Sequence, residues 1–298
     1  MNEDVVSLTQ QLVRIPSVNP MGRPCQGPEY LETRVTDFLQ QWATERGLPW
    51  ERHSVMPGRD NLLIRVDGQG AARDELRVLE VHQDTVPVDG MTIPPFAAER
   101  KGDRIHGRGT CDVKGGMAVM MTTVARLAAS RPQTQPTIVL ACTVNEENGF
   151  DGVRHLCGVW PDRRSRLLPR RPDAAVVAEP TELDIVVAHK GTVRWRCHTL
   201  GRAAHSSDPS AGVNAIYRMQ PVLRVLEQYA STQMGKFAEH PLLGRPTLSV
   251  GTIQGGLSVN TVPDRCSLEI DRRLLPREDP AAAYDHVVQY LNQELGTD

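Results

Sequence analysis

Apolar residues recur at helical spacing in two segments near the start of the chain, residues 5–14 and 30–46. Ile15-Pro16 closes the first segment and Gly47 closes the second, which is typical of helix ends. The pattern therefore predicts two amphipathic helices before any strand.

Short, continuous apolar runs follow these helices and predict strands. They lie at residues 61–66, 76–82, 137–144 and 174–179, and the last two have the β-branched, uninterrupted character of buried strands. Residues 115–129 begin with glycines and predict a long helix between the second and third runs. Strands that alternate with helices favour an α/β layer with a largely parallel sheet.

The pattern changes after Lys190. A strand, a helix, two strands and a helix are predicted at residues 192–200, 214–230, 246–254, 265–274 and 280–296. This β-α-β-β-α order is one strand short of the split βαβ unit. The sequence therefore predicts a second, smaller α+β domain.

Composition and charge exclude several classes of protein. With 298 residues, 40% of them hydrophobic and 23% charged, the chain fits a globular protein of about two domains. Its 34 Lys plus Arg and 36 Asp plus Glu give a formal net charge of −2, which argues against a nucleic-acid partner. The basic segment at residues 163–172 is short and lacks aromatic residues, so we interpret it as a surface connection.

The start of the chain and the cysteines bear on location. The first residues carry two acids and no basic region before an apolar core, so no secretory signal is expected. No apolar run approaches the roughly 20 residues that span a bilayer, so no membrane partner is expected. The six cysteines form no CxxC pair, which favours free thiols in a reducing cytoplasm.

His82 and Asp84 end the second strand-like run as VHQD, and the two-residue period of a strand puts both side chains on one face. Such a pair can serve as a metal ligand and the carboxylate that fixes its tautomer, although a hydrogen-bonded surface pair is the ordinary alternative. Asp112 lies in the glycine-rich segment before the third predicted helix. It is either a further ligand or the N-cap of that helix.

Glu146 and Glu147 follow the strand at residues 137–144, and Glu179 ends the strand at residues 174–179. Adjacent acids at a buried strand end repel each other unless a cation or a shared proton relieves them, although a solvated loop would tolerate them. Open α/β sheets bind ligands outside the carboxyl ends of their strands. Acids and a histidine at several such ends therefore predict a metal site.

The candidate donors are carboxylate and imidazole groups, without a cluster of thiolates. This set suits zinc, with manganese or cobalt in its place. Two metals bridged by one carboxylate would suit amide hydrolysis if another carboxylate stays free as general base. Of the adjacent glutamates, one could bind a metal while the other acts as the general base.

The order and spacing of several motifs resemble a known family. The motifs are VHQDTVP, GRGTCDVKGGMA, TVNEENG, VAEPT, HKGTVRWRCHTLGRAAHSSDPSAGVNAI, GGLSVNTVPD and DRRLLP, and the resemblance that they carry covers essentially the whole chain. They are similar to the zinc-dependent metallopeptidases and amidohydrolases that include acetylornithine deacetylase, succinyl-diaminopimelate desuccinylase, aminoacylase and glutamate carboxypeptidase. The GRGTCDVKGG segment looks most like the acetylornithine deacetylase and desuccinylase branch.

The resemblance implies a mainly parallel-sheet catalytic domain over residues 1–190, with an inserted ferredoxin-like α+β lid or dimerisation domain over residues 191–298. It also implies a homodimer and two zinc ions per subunit. His82 and Glu179 would bind the first metal, Glu147 would bind the second, and Asp112 would bridge the two.

The resemblance assigns further roles by position. Asp84 would orient the histidine ligand, and Glu146 would be the general base. His205 would reach into the partner subunit's site and stabilise the oxyanion. Arg273 would hold a substrate carboxylate, with a structural ion pair as the equal alternative, and Asn260 would face the substrate unless it is only a turn residue.

The expected function is hydrolysis of an amide bond in an N-acyl amino acid or small peptide. In the family, the catalytic domain resumes after the lid and brings a final histidine to the second metal; the sequence lacks this segment, so the second site is expected to be incomplete. We interpret the chain as a fragment of a longer product, with a split protein or a reduced, non-catalytic binding homologue as alternatives. A carboxypeptidase-type exopeptidase of the same family is the remaining alternative.

Overall fold

The computed structural model describes residues 4–296 and divides the chain into two compact units. The first unit extends to Leu183 and the second begins at Asp184. No helix among the described residues is long and apolar enough to cross a membrane.

The first unit contains four α-helices and seven strands within its described residues. In chain order they are α1 (Val5–Val13), α2 (Thr33–Glu45), β1 (Trp50–Met56), β2 (Arg59–Val66), β3 (Leu76–His82), β4 (Glu99–Lys101), β5 (Arg104–His106), α3 (Gly115–Ser130), β6 (Thr137–Thr143), α4 (Asp151–Val159) and β7 (Ala174–Val177). The helices predicted at residues 5–14, 30–46 and 115–129 are confirmed as α1, α2 and α3. The sequence pattern did not predict β1, β4, β5 and α4. Strand β1 has no fully buried position, β4 and β5 have three residues each, and α4 is short.

Five strands form the central sheet in the order β1-β2-β6-β3-β7. Strand β3 runs parallel to both β6 and β7, whereas β1 pairs antiparallel with β2, and β2 antiparallel with β6. The carboxyl ends of β3, β6 and β7 therefore lie at one edge of the sheet. The fold is mixed α/β, and its parallel part carries the residues of interest.

The apolar core lies on both faces of this sheet. Leu8, Leu39 and Met117 come from α1, α2 and α3 and pack in one cluster with Leu140 of β6. On the other face, Leu156 of α4 packs in a second cluster with residues of β2, β3 and β6. Because both faces are covered, β6 is buried along its whole length, as its continuous apolar run predicted.

The exposure of β7 differs from the prediction. Its four residues were predicted to be buried, but all of them are exposed, and Val176 retains 58% of its accessible surface. In the part of the chain that the structure describes, β7 pairs only with β3 and forms the edge of the sheet. A β-branched run predicts a strand, but it does not say whether the strand is central or at an edge.

The second unit has the β-α-β-β-α order that the sequence predicted. Its elements are β8 (Gly191–Leu200), α5 (Ala215–Thr232), β9 (Thr247–Gly255), β10 (Arg265–Leu274) and α6 (Pro280–Leu295). The strands form an antiparallel sheet in the order β8-β10-β9. Met219 and Leu226 of α5 and Val287 of α6 pack with Leu268 and Ile270 on one face of that sheet.

Candidate metal centre

The fold brings five candidate side chains to one edge of the first unit's sheet. His82 is the last residue of β3, Glu146 and Glu147 follow β6, and Glu179 follows β7. Asp112 lies in the kinked segment before α3. The ligand atoms of His82, Asp112 and Glu147 lie within 4.8 Å of one another, and so do those of His82, Glu146 and Glu179.

The orientation of the His82 ring follows from its two hydrogen bonds. The ring is buried, and Nδ1 donates to the backbone carbonyl of Asp84 at 2.9 Å. The nearest carboxylate oxygen of Asp84 is farther away, at 3.7 Å. Because a carbonyl can only accept, Nδ1 carries the proton in the neutral ring, and Nε2, 3.0 Å from Asp112 Oδ1, is the nitrogen that faces the acids.

The Asp84 carboxylate binds the backbone of the loop that follows β6. Its Oδ1 accepts the backbone N–H of Glu146 at 3.1 Å, and its Oδ2 accepts that of Glu147 at 3.1 Å and Nδ2 of Asn19 at 2.7 Å. Burial alone would raise the pKa of Asp84, but the hydrogen bonds and the charge of His82 lower it. A buried, ionised Asp84 therefore holds the two adjacent glutamates by their main chain.

Asp112 is not the cap of α3. The N-cap position of that helix is Lys114, and no side chain caps the helix there. Asp112 has non-helical backbone angles and a half-exposed side chain. The buried Lys114 amine donates to the carbonyls of Leu12 and Ile15 at 3.1 and 2.5 Å, which ties this segment to the end of α1.

The cluster carries crowded negative charge. Partial burial and the negative charge of Asp112 raise the pKa of Glu147 to about 7. Loss of solvation, together with the charges of Glu146 and Asp112, raises the pKa of Glu179 to about 7, and burial also raises that of Glu146. Burial alone would lower the pKa of His82, but hydrogen bonds to Asp112 and Asp84 raise it to about 11.

These observations test whether the residues suit a divalent cation. Oε1 of Glu147 is buried and has no hydrogen-bond partner among the described residues, and Glu147 belongs to one of the two groups of possible metal ligands. Zinc, manganese or cobalt binds carboxylate and imidazole groups of this kind. The cluster offers carboxylates that repel one another, one of them with an unpartnered oxygen, and an imidazole nitrogen that faces them. The residues present therefore fit a metal centre.

Sequence reasoning missed four residues behind this centre. Asn145 precedes the glutamate pair, and it contacts Asn19, Glu32 and Arg59 in a buried hydrogen-bonded network. The sequence offered one indication that Asn145 matters, which is its position between a strand and the two glutamates. Charged residues next to apolar runs ordinarily predict surface positions, so the burial of Glu32 and Arg59 was not predictable from the pattern.

His205 and Asn260 lie on paired segments of the second unit. The main-chain carbonyl of Asn260 accepts the N–H of Ser206 at 3.0 Å, and His205 forms an isolated bridge with Thr261. Both residues are exposed. Ser207 donates its N–H to Nδ1 of His205 at 3.2 Å, so Nε2 carries the proton of the neutral ring.

Arg273 lies near the other end of β10 from the Asn260 loop, since eight residues separate it from Arg265 at the start of that strand. Eight strand residues span roughly 26 Å. Its Nε donates to Asp271 at 2.7 Å, and its side chain is 46% exposed. Within the second unit, the structure therefore groups His205 with Asn260 but not with Arg273.

Comparisons with known proteins agree with this fold. Residues 187–298 match the peptidase dimerisation domain, and residues 61–188 match peptidase family M28. Acetylornithine deacetylase of Vibrio campbellii is 34% identical over 248 residues, which are 82% of this chain and 61% of that enzyme. The chain thus spans less than two thirds of the length of the Vibrio enzyme.

Solved structures share the fold at low identity. An M20 family metallo-carboxypeptidase from Sulfolobus solfataricus is similar with a TM-score of 0.75 and 16% identity, over 99% of this chain and 76% of that one. A dinuclear metal binding peptidase of the M20 family from Bacillus subtilis is similar with a TM-score of 0.59 and 14% identity, over 98% and 69%.

A further curated relative covers nearly the whole chain. Acetylornithine deacetylase of Edwardsiella ictaluri is 32% identical over 296 residues, which are 97% of this chain and 72% of that enzyme. This extent of identity, together with the dimerisation-domain match, shows that the chain belongs to the acetylornithine deacetylase family of metallopeptidases.

Proposed function

We propose that the chain belongs to a metal-dependent amidohydrolase that removes the acyl group from an N-acyl amino acid. One observation carries the proposal: His82, Asp112, Glu146, Glu147 and Glu179 meet at the carboxyl edge of three parallel strands, in two overlapping groups of ligand atoms. The identity to acetylornithine deacetylases supports an N-acyl amino acid rather than a longer peptide as substrate.

Two divalent ions, zinc or in its place cobalt or manganese, would occupy this centre. His82 and Glu179 would hold the first ion, Glu147 would hold the second, and Asp112 would bridge them. The charge of Asp112 raises the pKa of both Glu147 and Glu179, as expected for a carboxylate near both. When bound, such ions polarise an amide carbonyl and make water more acidic.

Glu146 would act as the general base and then as the general acid. Its main chain is held by Asp84, while its half-buried side chain faces the cluster. Burial raises the pKa of Glu146, which brings a carboxylate closer to the range in which it both accepts and returns a proton. It would take a proton from the attacking water and deliver it to the nitrogen of the leaving amine.

His205 would stabilise the negative oxygen that forms when water adds to the amide. Its Nδ1 accepts from the Ser207 N–H, so Nε2–H is the free donor that an oxyanion requires. Asn260, on the paired segment, would contact the same substrate. Because Arg273 lies near the other end of β10, it would bind a substrate carboxylate in its own subunit's site, whereas His205 and Asn260 would reach the partner subunit's site. Its terminal nitrogens are left for this contact, since the hydrogen bond to Asp271 uses Nε.

The second unit would provide the contact of a homodimer. Residues 187–298 match a dimerisation domain, and β8 and β9 are the two edges of its described sheet. An exposed strand edge can pair with its symmetry mate across a two-fold axis. All six cysteines are free thiols, which supports the cytoplasm as the compartment.

The test is metal analysis combined with a substrate panel. The complete enzyme loaded with zinc is assayed on N-acetylornithine, N-succinyl amino acids and dipeptides, and Glu146→Ala serves as the matched inactive control. Two metals per chain and turnover of an N-acyl amino acid are expected. At most one metal and no turnover would favour a non-catalytic binding protein, and turnover of dipeptides alone would favour an exopeptidase.

A further inference from the structure

Asn145 connects the end of β6 to the acidic pair and has an uncommon backbone conformation. Its φ is 60°, in the left-handed region, and it is 4% exposed. For a residue other than glycine this conformation costs free energy unless its surroundings fix it. The direction in which Glu146 and Glu147 leave the sheet depends on this residue.

Contacts from several segments hold the Asn145 side chain and main chain. Oδ1 accepts from Nη1 of Arg59 at 2.6 Å and from Nδ2 of Asn19 at 2.8 Å. Nδ2 donates to Asp151, and the backbone N–H donates to Oε1 of Glu32 at 3.2 Å. Both polar atoms of the side chain and the backbone N–H therefore have partners.

Glu32 and Arg59 form a bidentate ion pair behind this residue. Nε of Arg59 donates to Oε2 of Glu32 at 2.8 Å, and Nη2 donates to Oε1 at 2.7 Å. Their side chains are 0% and 7% exposed. Burial of two charges is costly, and an apolar pair of similar volume is often as stable, so global stability alone does not account for the pair.

The guanidinium geometry explains what an apolar pair would not provide. Arg59 presents two N–H groups to Glu32 and a third to Asn145, and Glu32 in turn accepts the Asn145 N–H. Both the main chain and the side chain of Asn145 are thus bound to one rigid unit. A lysine ammonium has no planar fork and cannot reproduce this set of contacts.

We propose that Glu32 and Arg59 are positioning residues, which fix Asn145 in its left-handed conformation and so aim Glu146 and Glu147 into the ligand cluster. Asn19 joins Asn145 to the Asp84 carboxylate, which holds the next two amides, so the turn is fixed from both sides. The effect on metal binding rests on the proposed function, whereas the effect on the turn does not.

The experiment compares Arg59→Lys with Arg52→Lys. Arg52, on the adjacent strand, also donates two N–H groups to carboxylates, with Nε to Asp60 and Nη1 to Asp37 at 2.6 Å each, so its variant controls for the loss of arginine ion pairs. Three quantities are measured on the whole chain: the thermal midpoint, the amide hydrogen exchange of residues 145–147, and Co²⁺ binding followed by its visible absorption.

Arg59→Lys is expected to speed exchange of the Glu146 and Glu147 amides about tenfold relative to peptides from β10. It is also expected to weaken Co²⁺ binding at least about tenfold and to alter the visible spectrum, as other supporting residues of metal sites do. Arg52→Lys is expected to leave exchange and cobalt affinity unchanged. A folded Arg59→Lys protein with unchanged exchange at these amides would overturn the proposal.

Asn145→Gly decides the matter if Arg59→Lys does not fold. Glycine adopts the left-handed conformation without cost but has no side chain for Arg59 to hold, so faster exchange of the following amides is again expected. Unchanged exchange there would overturn the proposal. Absence of cobalt binding by the unmodified chain would contradict the proposed function instead, and the exchange comparison would still decide the positioning role.

Discussion

The carboxylate of Asp84 accepts the backbone N–H of Glu146 at 3.1 Å, so a residue that follows β3 holds the loop that follows β6. Its second oxygen does the same for Glu147, while its main-chain carbonyl orients His82. One residue therefore sets the position of an imidazole through its backbone and of two carboxylates through its side chain. This arrangement links neighbouring parallel strands at the edge where the cluster forms.

Replacement of Asp84 by asparagine tests this double role. The amide keeps one acceptor but presents an NH₂ group to one of the two backbone donors, so one N–H of the acidic pair loses its partner. We expect the carbonyl contact to His82 to remain and the affinity for Co²⁺ to fall by about 10- to 100-fold. Titration with Co²⁺ measures the loss. Asp89→Asn, at a carboxylate that is 84% exposed, is the control and should bind cobalt normally.

Replacement of Glu146 by glutamine tests the general-base assignment. Glutamine keeps the size and the backbone hydrogen bond to Asp84 but cannot take a proton. In the complete enzyme, kcat should fall by about 10²- to 10⁴-fold while the metal content is retained. Glu147→Gln, in contrast, should reduce metal content. Normal turnover by Glu146→Gln would assign the proton transfer to another group.

The sequence was sufficient to predict that the polar side chains at the strand ends lie close together. His82, Glu146 and Glu179 each follow an apolar run, and parallel strands bring their carboxyl ends to one edge, so strand order alone predicts their proximity. The roles of main-chain atoms were not predictable in this way. Side-chain identity does not reveal that Asp84 holds His82 through a carbonyl, because that choice depends on how the chain leaves β3.

The network behind the site was not predictable for a different reason. Glu32 and Arg59 are 27 residues apart, and their pairing depends on how α2 packs on β2. Charged residues also predict surface positions, and nothing local distinguishes a buried ion pair from two solvated side chains. The exposure of β7 was missed similarly, since edge position is a property of the whole sheet.

Asp173 provides a pH-dependent test of the first unit. Hydrogen bonds from Arg170 and from the backbone N–H of Leu76 hold the pKa of Asp173 at about 2, below its ordinary value of 3.8. A carboxyl group whose pKa is lowered by folding stabilises the folded state at pH values above its pKa in the unfolded chain. This contribution is lost as the pH falls through its pKa in the folded state. Asp173→Asn should therefore lower the thermal midpoint above pH 4, and the difference should shrink steeply as pH falls from 4 to 2. An equal difference at both pH values would contradict the ionic contribution.

Replacement of His205 by alanine tests the role proposed for the second unit. Its Nε2–H is the donor left after Ser207 binds Nδ1, and it lies in the second unit, outside the metal cluster of the first. In the complete enzyme, loss of one oxyanion donor should lower kcat by about 10²- to 10³-fold, with metal content and thermal midpoint unchanged. His198→Ala, at another exposed histidine of the same unit, is the matched control and should retain kcat. A rise in KM alone, with kcat preserved, would assign His205 to substrate binding. A loss of kcat confined to His205→Ala would assign it to stabilisation of the transition state.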